Sequence, residues 1–205
     1  MEYKTAIIVD WENVRKRIFE NPQLRKTSCK IDYNLRVKDL PKFFLTFLDQ
    51  EELPYRIFIY TAEPFRDTIS KPDGSIVDFS KEPVVLKAGK FIKDISLCDL
   101  TAIRKGRLAF RGWDSHGKPI FVQKKVDMLI GLDIAHLAYK RLVDRIMVFS
   151  YDLDIQPALR IARLEGLQVV LPVLEELGTD AIPEELIEHS DFIRIKSFKR
   201  LCETL

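Results

Sequence analysis

Residues Ile146 to Pro157, IMVFSYDLDIQP, constrain the fold most tightly. Ile146 to Phe149 is apolar without polar alternation. That is the pattern of a strand covered on both faces, as in a parallel α/β sheet. Asp152 and Asp154 follow at once, and a helical pattern begins directly after them. Asp154 is a good N-cap, and Pro157 then falls in the first helical turn, where its missing N–H costs nothing. Both aspartates are therefore expected in the crevice at the carboxyl end of a strand, where open α/β sheets bind ligands. Carboxylates held that close repel each other unless a proton or a cation lies between them. The plainer alternative is that Asp154 only caps a helix and Asp152 only shapes a turn.

The same signature opens the chain. Lys4 to Asp10, KTAIIVD, reads as a first buried strand ending on an aspartate, and Glu12 to Glu20 as a basic helix exposing Arg15, Lys16 and Arg17. Residues 21 to 37 are polar and aperiodic, the pattern of a surface loop. Leu40, Phe43, Phe44, Phe47 and Leu48 are spaced for a helix over Lys38 to Glu52. Tyr55 to Thr61 is a second buried strand. Pro72-Asp73-Gly74 marks a hairpin turn within an embellishment at 62–82. Glu82 to Leu97 is expected as a helix, and Asp99 to Phe110 as a strand with Pro119 to Gln123 pairing back on it. Val126 to Arg141 is apolar nearly all round, which predicts a largely covered helix. After the central strand come a helix from Asp154 to Glu165, Gly166 as its stop, and a strand over Leu167 to Leu171. A helical tail over 183–205 encloses a short FIRI strand. With 205 residues and neither repeat nor linker, one α/β domain with a real core is expected.

Composition removes several classes of function. A hydrophobic share of 46% and a charged share of 31% describe a water-soluble chain, and no stretch reaches the apolar length of a membrane span. The N-terminal MEYKTAIIVD lacks the pattern of a signal peptide. Cys29, Cys98 and Cys202 are odd in number and lack metal-type spacing, which predicts reduced thiols in the cytoplasm. At a formal net charge of +2, any nucleic-acid contact has to come from a local patch. No GxGxxG follows the first strand and no P-loop occurs elsewhere, so a dinucleotide or nucleoside-triphosphate enzyme is disfavoured.

Three elements supply carboxylates to one sheet edge. Asp10 ends the first strand, Asp152 and Asp154 end the central strand, and Asp127 opens the helix after VQKK. In a parallel sheet the carboxyl ends of strands and the amino ends of the following helices share an edge. Hard divalent cations take oxygen ligands and keep several waters, so three or four carboxylates suffice for Mg²⁺ or Mn²⁺. Such a site can position a phosphodiester and stabilise its leaving oxygen. With no serine, cysteine or histidine triad visible, the expected nucleophile is water.

IIVDWENV, KKVDMLIGLDIAHLAYK and VFSYDLDIQPALRIARLEGLQVV resemble the three hallmark blocks of NYN domains, whose typical forms are FIDGxN, KxVDxxLxxD and SGDSDFxPL. NYN domains belong to the PIN-like nucleases. GRLAFR ahead of QKKVD, and Ser190-Asp191-Phe192, are similar to the LabA-like branch. The resemblance runs from the first strand to about Leu171 and is weak over residues 20 to 95. It implies a Rossmann-like three-layer α/β domain with a mainly parallel central sheet, Mg²⁺ or Mn²⁺, and hydrolysis of RNA, single-stranded in the expected case. Carried onto this sequence, the catalytic set is Asp10, Asn13, Asp127, Asp152 and Asp154, with all four aspartates as metal ligands. Trp11 departs from the usual glycine, and Tyr151 and Leu153 replace small residues. These bulky neighbours would narrow the cleft or offer a base-stacking surface.

Around that set, Asp133 lies six residues beyond Asp127, rotated roughly 120° and about 9 Å along the helix, so it is expected to support the site or play a buried structural role rather than ligate. Ser150 is assigned the same supporting role. His136 is a candidate partner for Asp133, and otherwise a core histidine. His116 and His189 carry no clear signal. Lys124 and Lys125 precede Asp127 where a phosphate would lie, or are an ordinary solvated pair. Arg104, Lys105, Arg107 and Arg111 interleave with Phe110 and Trp113, as in surfaces that hold single strands without sequence readout. Arg104, Arg107 and Arg111 are the expected backbone contacts, and a charged ribbon edge is the plain alternative. Two rivals stand beside the nuclease. One is a non-catalytic RNA-binding or interaction module on the same fold, favoured by Trp11 and Tyr151. The other is a haloacid-dehalogenase-type phosphatase, weakened by Glu12 at the second carboxylate position.

Overall fold

A parallel sheet needs strands apolar on both faces and helices to cover each side, and both are present. The computed structural model describes residues 2–26 and 37–204. Strands β1 (Tyr3–Asp10), β2 (Glu52–Glu63), β5 (Thr101–Trp113), β6 (Pro119–Lys124), β7 (Arg145–Phe149), β8 (Gln168–Leu174) and β9 (Phe192–Lys196) form one sheet in the order β6-β5-β2-β1-β7-β8-β9. All pairings are parallel except β5 with β6. A separate antiparallel hairpin pairs β3 (Thr68–Ser70) with β4 (Ile76–Asp78) around the expected Pro72-Asp73-Gly74 turn. No helix among the described residues is long and apolar enough to cross a membrane.

Helices cover both faces. On one side lie α1 (Trp11–Val14), its π-helical continuation Arg15–Phe19, α2 (Pro22–Lys26), α3 (Leu40–Leu45), α4 (Pro83–Ser96) and α8 (Phe198–Thr204). Their core includes Val14, Ile18, Phe43, Phe44 and Phe47 against Ile7, Val9 and Phe149. On the other side α5 (Val126–Tyr139), α6 (Gln156–Leu164) and α7 (Glu184–Glu188) pack Ile130, Ile134, Leu159 and Leu186 against Ile8, Tyr60 and Val148. The result is a three-layer α/β arrangement with a mostly parallel seven-stranded sheet.

Several expected boundaries move. The basic helix begins at Trp11 because the Asp10 side chain caps it, and it widens to a π turn at Arg15. Residues 22–26 are helical rather than loop, while the rest of that expected loop up to residue 36, Cys29 included, lies outside the described residues. The helix expected over 38–52 is a 3₁₀ turn, Val37–Asp39, followed by α3, and it stops at Leu45. The chain then enters β2 at Glu52, whose side chain is held by arginines of two other strands. Helix α5 is not covered all round: Met128, Leu132 and Tyr139 are 56–59% exposed, because a single sheet face takes up only part of its circumference. Gly106 of β5 lets the β6–α5 corner cross closely. A methyl group there would lie 2.5 Å from the Lys124 carbonyl oxygen and 2.6 Å from Val126 Cγ2.

Candidate functional site

Register brings the first and central strands together. β1 and β7 are direct neighbours, with Val9 level with Phe149, so Asp10 and Ser150 leave the sheet side by side. Asp10 is 4% exposed. One carboxylate oxygen accepts the Asn13 amide at 3.2 Å, and the other accepts the Ser150 hydroxyl at 3.5 Å. Ser150 Oγ in turn accepts the Asp152 amide at 3.3 Å. Ser150 thus ties the ends of the two strands and contacts Asp10. Asn13 Oδ1 is buried and accepts no hydrogen bond from the described residues.

The central turn is built differently from the sequence expectation. Asp152, not Asp154, is the capping residue: its Oδ1 accepts the Asp154 amide at 3.1 Å and opens a 3₁₀ turn, Leu153–Ile155. Helix α6 starts only at Gln156, with Pro157 in its first turn. That leaves the Asp154 carboxylate exposed and free of the cap. Asp127 lies exposed in the first turn of α5.

Electrostatics link these groups. Burial raises the Asp10 carboxyl to about 6; the Asn13 amide opposes this, and the charges of Asp127, Asp152 and Glu12 add to it. Asp127 is raised too, by burial first and then by Asp152 and Asp154. Among the described residues no lysine or arginine forms an ion pair with Asp10, Asp127, Asp152 or Asp154. Nor is any described group of three or more His, Cys, Asp or Glu side chains arranged to hold a metal ion. The carboxylates share one edge and repel one another across it, without closing into a cage. The donor set, oxygen only and uncompensated by cations, suits a hard divalent ion that keeps its waters and binds through one or two carboxylates plus a substrate phosphate. It does not suit a tightly held structural metal.

The raised Asp10 carboxyl yields a prediction. Between its unfolded value near 4 and its folded value near 6, the folded state binds more protons, so stability falls as pH rises through that window. Asp10→Asn keeps an acceptor for the Asn13 amide and removes the charge. It is expected to be more stable than wild type at pH 7.5, by up to roughly 3 kcal/mol, with the difference vanishing near pH 4. Urea melts of both proteins across that range measure it.

The surrounding residues divide. Trp11 stacks on Phe91 of α4 at 4.5 Å between ring centroids and contacts Phe19, so its ring serves packing. Tyr151 is buried beneath the Arg17 guanidinium, 4.7 Å from the ring centroid, and offers no open stacking face. Leu153 is 44% exposed at the mouth of the turn. Lys124 ends β6, and Lys125 holds a left-handed conformation (φ 73°) just before α5; neither pairs with a described carboxylate. Asp191 accepts the Val169 amide at 2.7 Å and pairs with Arg163, which makes it a structural tie.

Three expectations are corrected. Arg104 is not a free backbone contact: its Nε donates to Asp133 Oδ2 at 2.6 Å, and the Tyr60 hydroxyl donates to the same oxygen at 2.9 Å. Asp133 therefore locks α5 to β2 and β5. His136 is exposed and does not partner it, because Arg104 and Tyr60 already fill that role from the sheet. Phe110 and Trp113 are not free stacking platforms either. They cluster with Phe65, Phe79 and Phe121, ring centroids 5.3–6.5 Å apart, joining the β3–β4 hairpin to the β5–β6 ribbon. Lys105 pairs with Glu63, whereas Arg107 and Arg111 have no partner among the described residues. Arg104→Ala should therefore cost about 1–3 kcal/mol in a chemical melt by stranding Asp133. It should leave the salt dependence of any RNA binding unchanged.

A scan against protein-family models, a search of curated proteins and a search of solved structures each gave no match.

Proposed function

We propose that this protein is a metal-dependent ribonuclease of the NYN type, with a PIN-like version of the Rossmann-like fold. The observation that carries the reading is the edge formed by Asp10, Asp127, Asp152 and Asp154. Burial, and then the charges of neighbouring carboxylates, raise Asp10 and Asp127, and none of the four has a basic partner among the described residues. Asp10, Asp127 and Asp152 would hold Mg²⁺ or Mn²⁺, with Asp154 directly or through water. The cation, when bound, would supply charge stabilisation for a phosphodiester and its leaving oxygen. The chain's own contribution is placement. Ser150 and the Asn13 amide orient Asp10, Asp152 shapes the turn that presents Asp154, and the buried Asn13 Oδ1 adds an unused acceptor beside them. Lys124 and Lys125 sit three and two residues before Asp127, where ammonium groups would neutralise substrate phosphates. The free Cys98 thiol accords with a cytoplasmic setting.

The open arrangement favours a cation recruited together with RNA over a resident one. The same openness keeps a second reading in play, an RNA-binding module without turnover. Labelled single-stranded RNA incubated with Mn²⁺ or Mg²⁺, beside binding measured in EDTA, decides between them. Cleavage only in the presence of metal supports the nuclease. Binding in EDTA with intact RNA under every metal condition supports the module and overturns the nuclease.

A further inference from the structure

β2 runs past the acidic edge. Asp10 is level with Tyr60, and β2 continues three residues further to Glu63, about 10 Å along the strand. There a cavity of about 450 Å³ opens between the end of β2, the middle of α4 and β5. Its lining includes Phe65, Arg66, Gly89, Ile92 and Arg107. Neither the Arg66 nor the Arg107 guanidinium donates to, or pairs with, any described residue. The acidic groups in the lining are Glu63, already paired with Lys105 at 2.6 Å, and Asp67.

Gly89 explains how one guanidinium is seated. It lies inside the 14-residue helix α4, where glycine is a poor choice on helix propensity alone. A methyl group at residue 89 would lie 2.6 Å from Arg66 Nη2 and 3.7 Å from its Cζ. The missing side chain is the space the guanidinium occupies. Arg66 is thus held against the helix backbone at the cavity wall, with Arg107 facing the same space from β5. Two unpaired planar forks on one cavity match the oxygens of a phosphate, and Arg is suited to that geometry as Lys is not.

We propose that Arg66, Arg107 and the space over Gly89 form a phosphate-binding subsite next to the acidic edge. The phosphate is that of a bound RNA strand, an assignment that rests on the nuclease reading above. The subsite anchors the strand by its backbone while the aspartate edge meets the bond to be cut.

Short fluorescent RNAs, with and without a 5′-phosphate, are titrated in EDTA against wild type, Arg66→Ala, Gly89→Ala and Arg200→Ala. The last removes one exposed charge elsewhere. Gly89→Ala should fold and melt no lower than wild type, because alanine favours the helix and only a flexible side-chain end must move. Arg66→Ala and Gly89→Ala are each expected to weaken binding by about tenfold or more, and Arg200→Ala far less. Loss confined to the phosphorylated RNA assigns a strand end, and equal loss on both assigns an internal phosphate. Binding by Arg66→Ala and Gly89→Ala equal to that of Arg200→Ala overturns the subsite. If wild type cleaves RNA while those variants bind normally, the subsite falls and the nuclease reading stands. Inorganic phosphate alone is also titrated by thermal shift. If it stabilises wild type but not Arg66→Ala while no RNA is bound, the phosphate site stands with free phosphate as its source, and the assignment to an RNA strand falls.

Discussion

Asp152→Asn is expected to abolish metal-dependent RNA cleavage while leaving the metal-free protein at least as stable as wild type. The substitution keeps the size of the side chain and the Oδ1 that accepts the Asp154 amide, so the 3₁₀ turn into α6 survives. What it removes is one negative charge from an edge where burial raises Asp10 and Asp127 and Asp152 adds to both. Relief of that repulsion is stabilising, or neutral, when no cation is present. Excess Mg²⁺ or Mn²⁺ should raise the melting temperature of wild type by mass action, since the unfolded chain lacks the site, and raise that of Asp152→Asn much less. Loss of a charge that positions and stabilises the reacting phosphate is expected to lower turnover by about 10²-fold or more. An Asp152 that only shapes the turn predicts the reverse pattern. Stability would then drop by roughly 1–3 kcal/mol, and metal would act on both proteins alike. Melts with EDTA and with excess metal, set beside the cleavage assay, separate the two. A destabilised variant with an undiminished metal response would sink the metal site.

What the sequence discloses here is what short-range patterning governs. The unbroken apolar runs before Asp10 and after Arg145 specify strands covered on both faces, and β1 and β7 are buried from Ala6 to Val9 and from Ile146 to Phe149. Chain order then puts Asp10, Asp152 and Asp154 on one edge, because parallel strands and their following helices share it. Asp127 reaches the same edge by another route: the antiparallel β6 returns from beyond it and ends with Lys124 opposite Arg107, which is level with Glu63 at the end of β2. The Pro72-Asp73-Gly74 turn, α4 and the antiparallel return of β6 are likewise local matters. Contacts between distant residues are not legible in this way. Arg104 and Asp133 are 29 residues apart, and nothing near Arg104 announces that an α5 carboxylate will claim it. Phe110 and Trp113 look like a basic-aromatic surface until Phe65 and Phe79 arrive from the hairpin. Helical spacing predicts that Met128, Leu132 and Tyr139 are apolar positions but not that their side of α5 lacks a neighbour. The choice between Asp152 and Asp154 as cap turned on a single 3₁₀ turn, below the resolution of pattern reading. Gly89 carried a weak signal, as a glycine inside a helix, whose meaning needed the position of Arg66.

Removing Glu52 is expected to be the most damaging single change to stability, and it acts at the opposite edge of the sheet from the aspartates. Its side chain is fully buried. One oxygen pairs with Arg145 at 2.9 Å and accepts the Thr5 hydroxyl at 3.0 Å; the other accepts from Arg194 and from the Asp49 amide at 2.8 Å. Four strands, β1, β2, β7 and β9, are tied through this one carboxylate. Arg145 is completed by Gln168 and by the rings of Tyr3 and Phe192, and Arg194 by Asp49 and the Phe47 carbonyl, so both guanidiniums are committed to the interior. A buried pair like this need not stabilise relative to apolar residues, but deleting one partner leaves the other charge desolvated. Here Glu52→Ala strands two of them. A loss of about 3–5 kcal/mol is expected, which for a chain of this size lowers the melting temperature by roughly 10 °C. The pH dependence carries the sign. Burial alone would raise the Glu52 carboxyl, but the Asp49 amide, Arg145 and Arg194 outweigh it and hold the group below the ordinary glutamate range. Its contribution is therefore present above the unfolded glutamate value and lost as pH falls through the lower folded value. Wild type should lose stability across that acid window, and Glu52→Gln, which cannot titrate, should lose less. Equal acid sensitivity of the two proteins, or a Glu52→Ala variant as stable as wild type, would show that the four strands are held by their apolar faces alone.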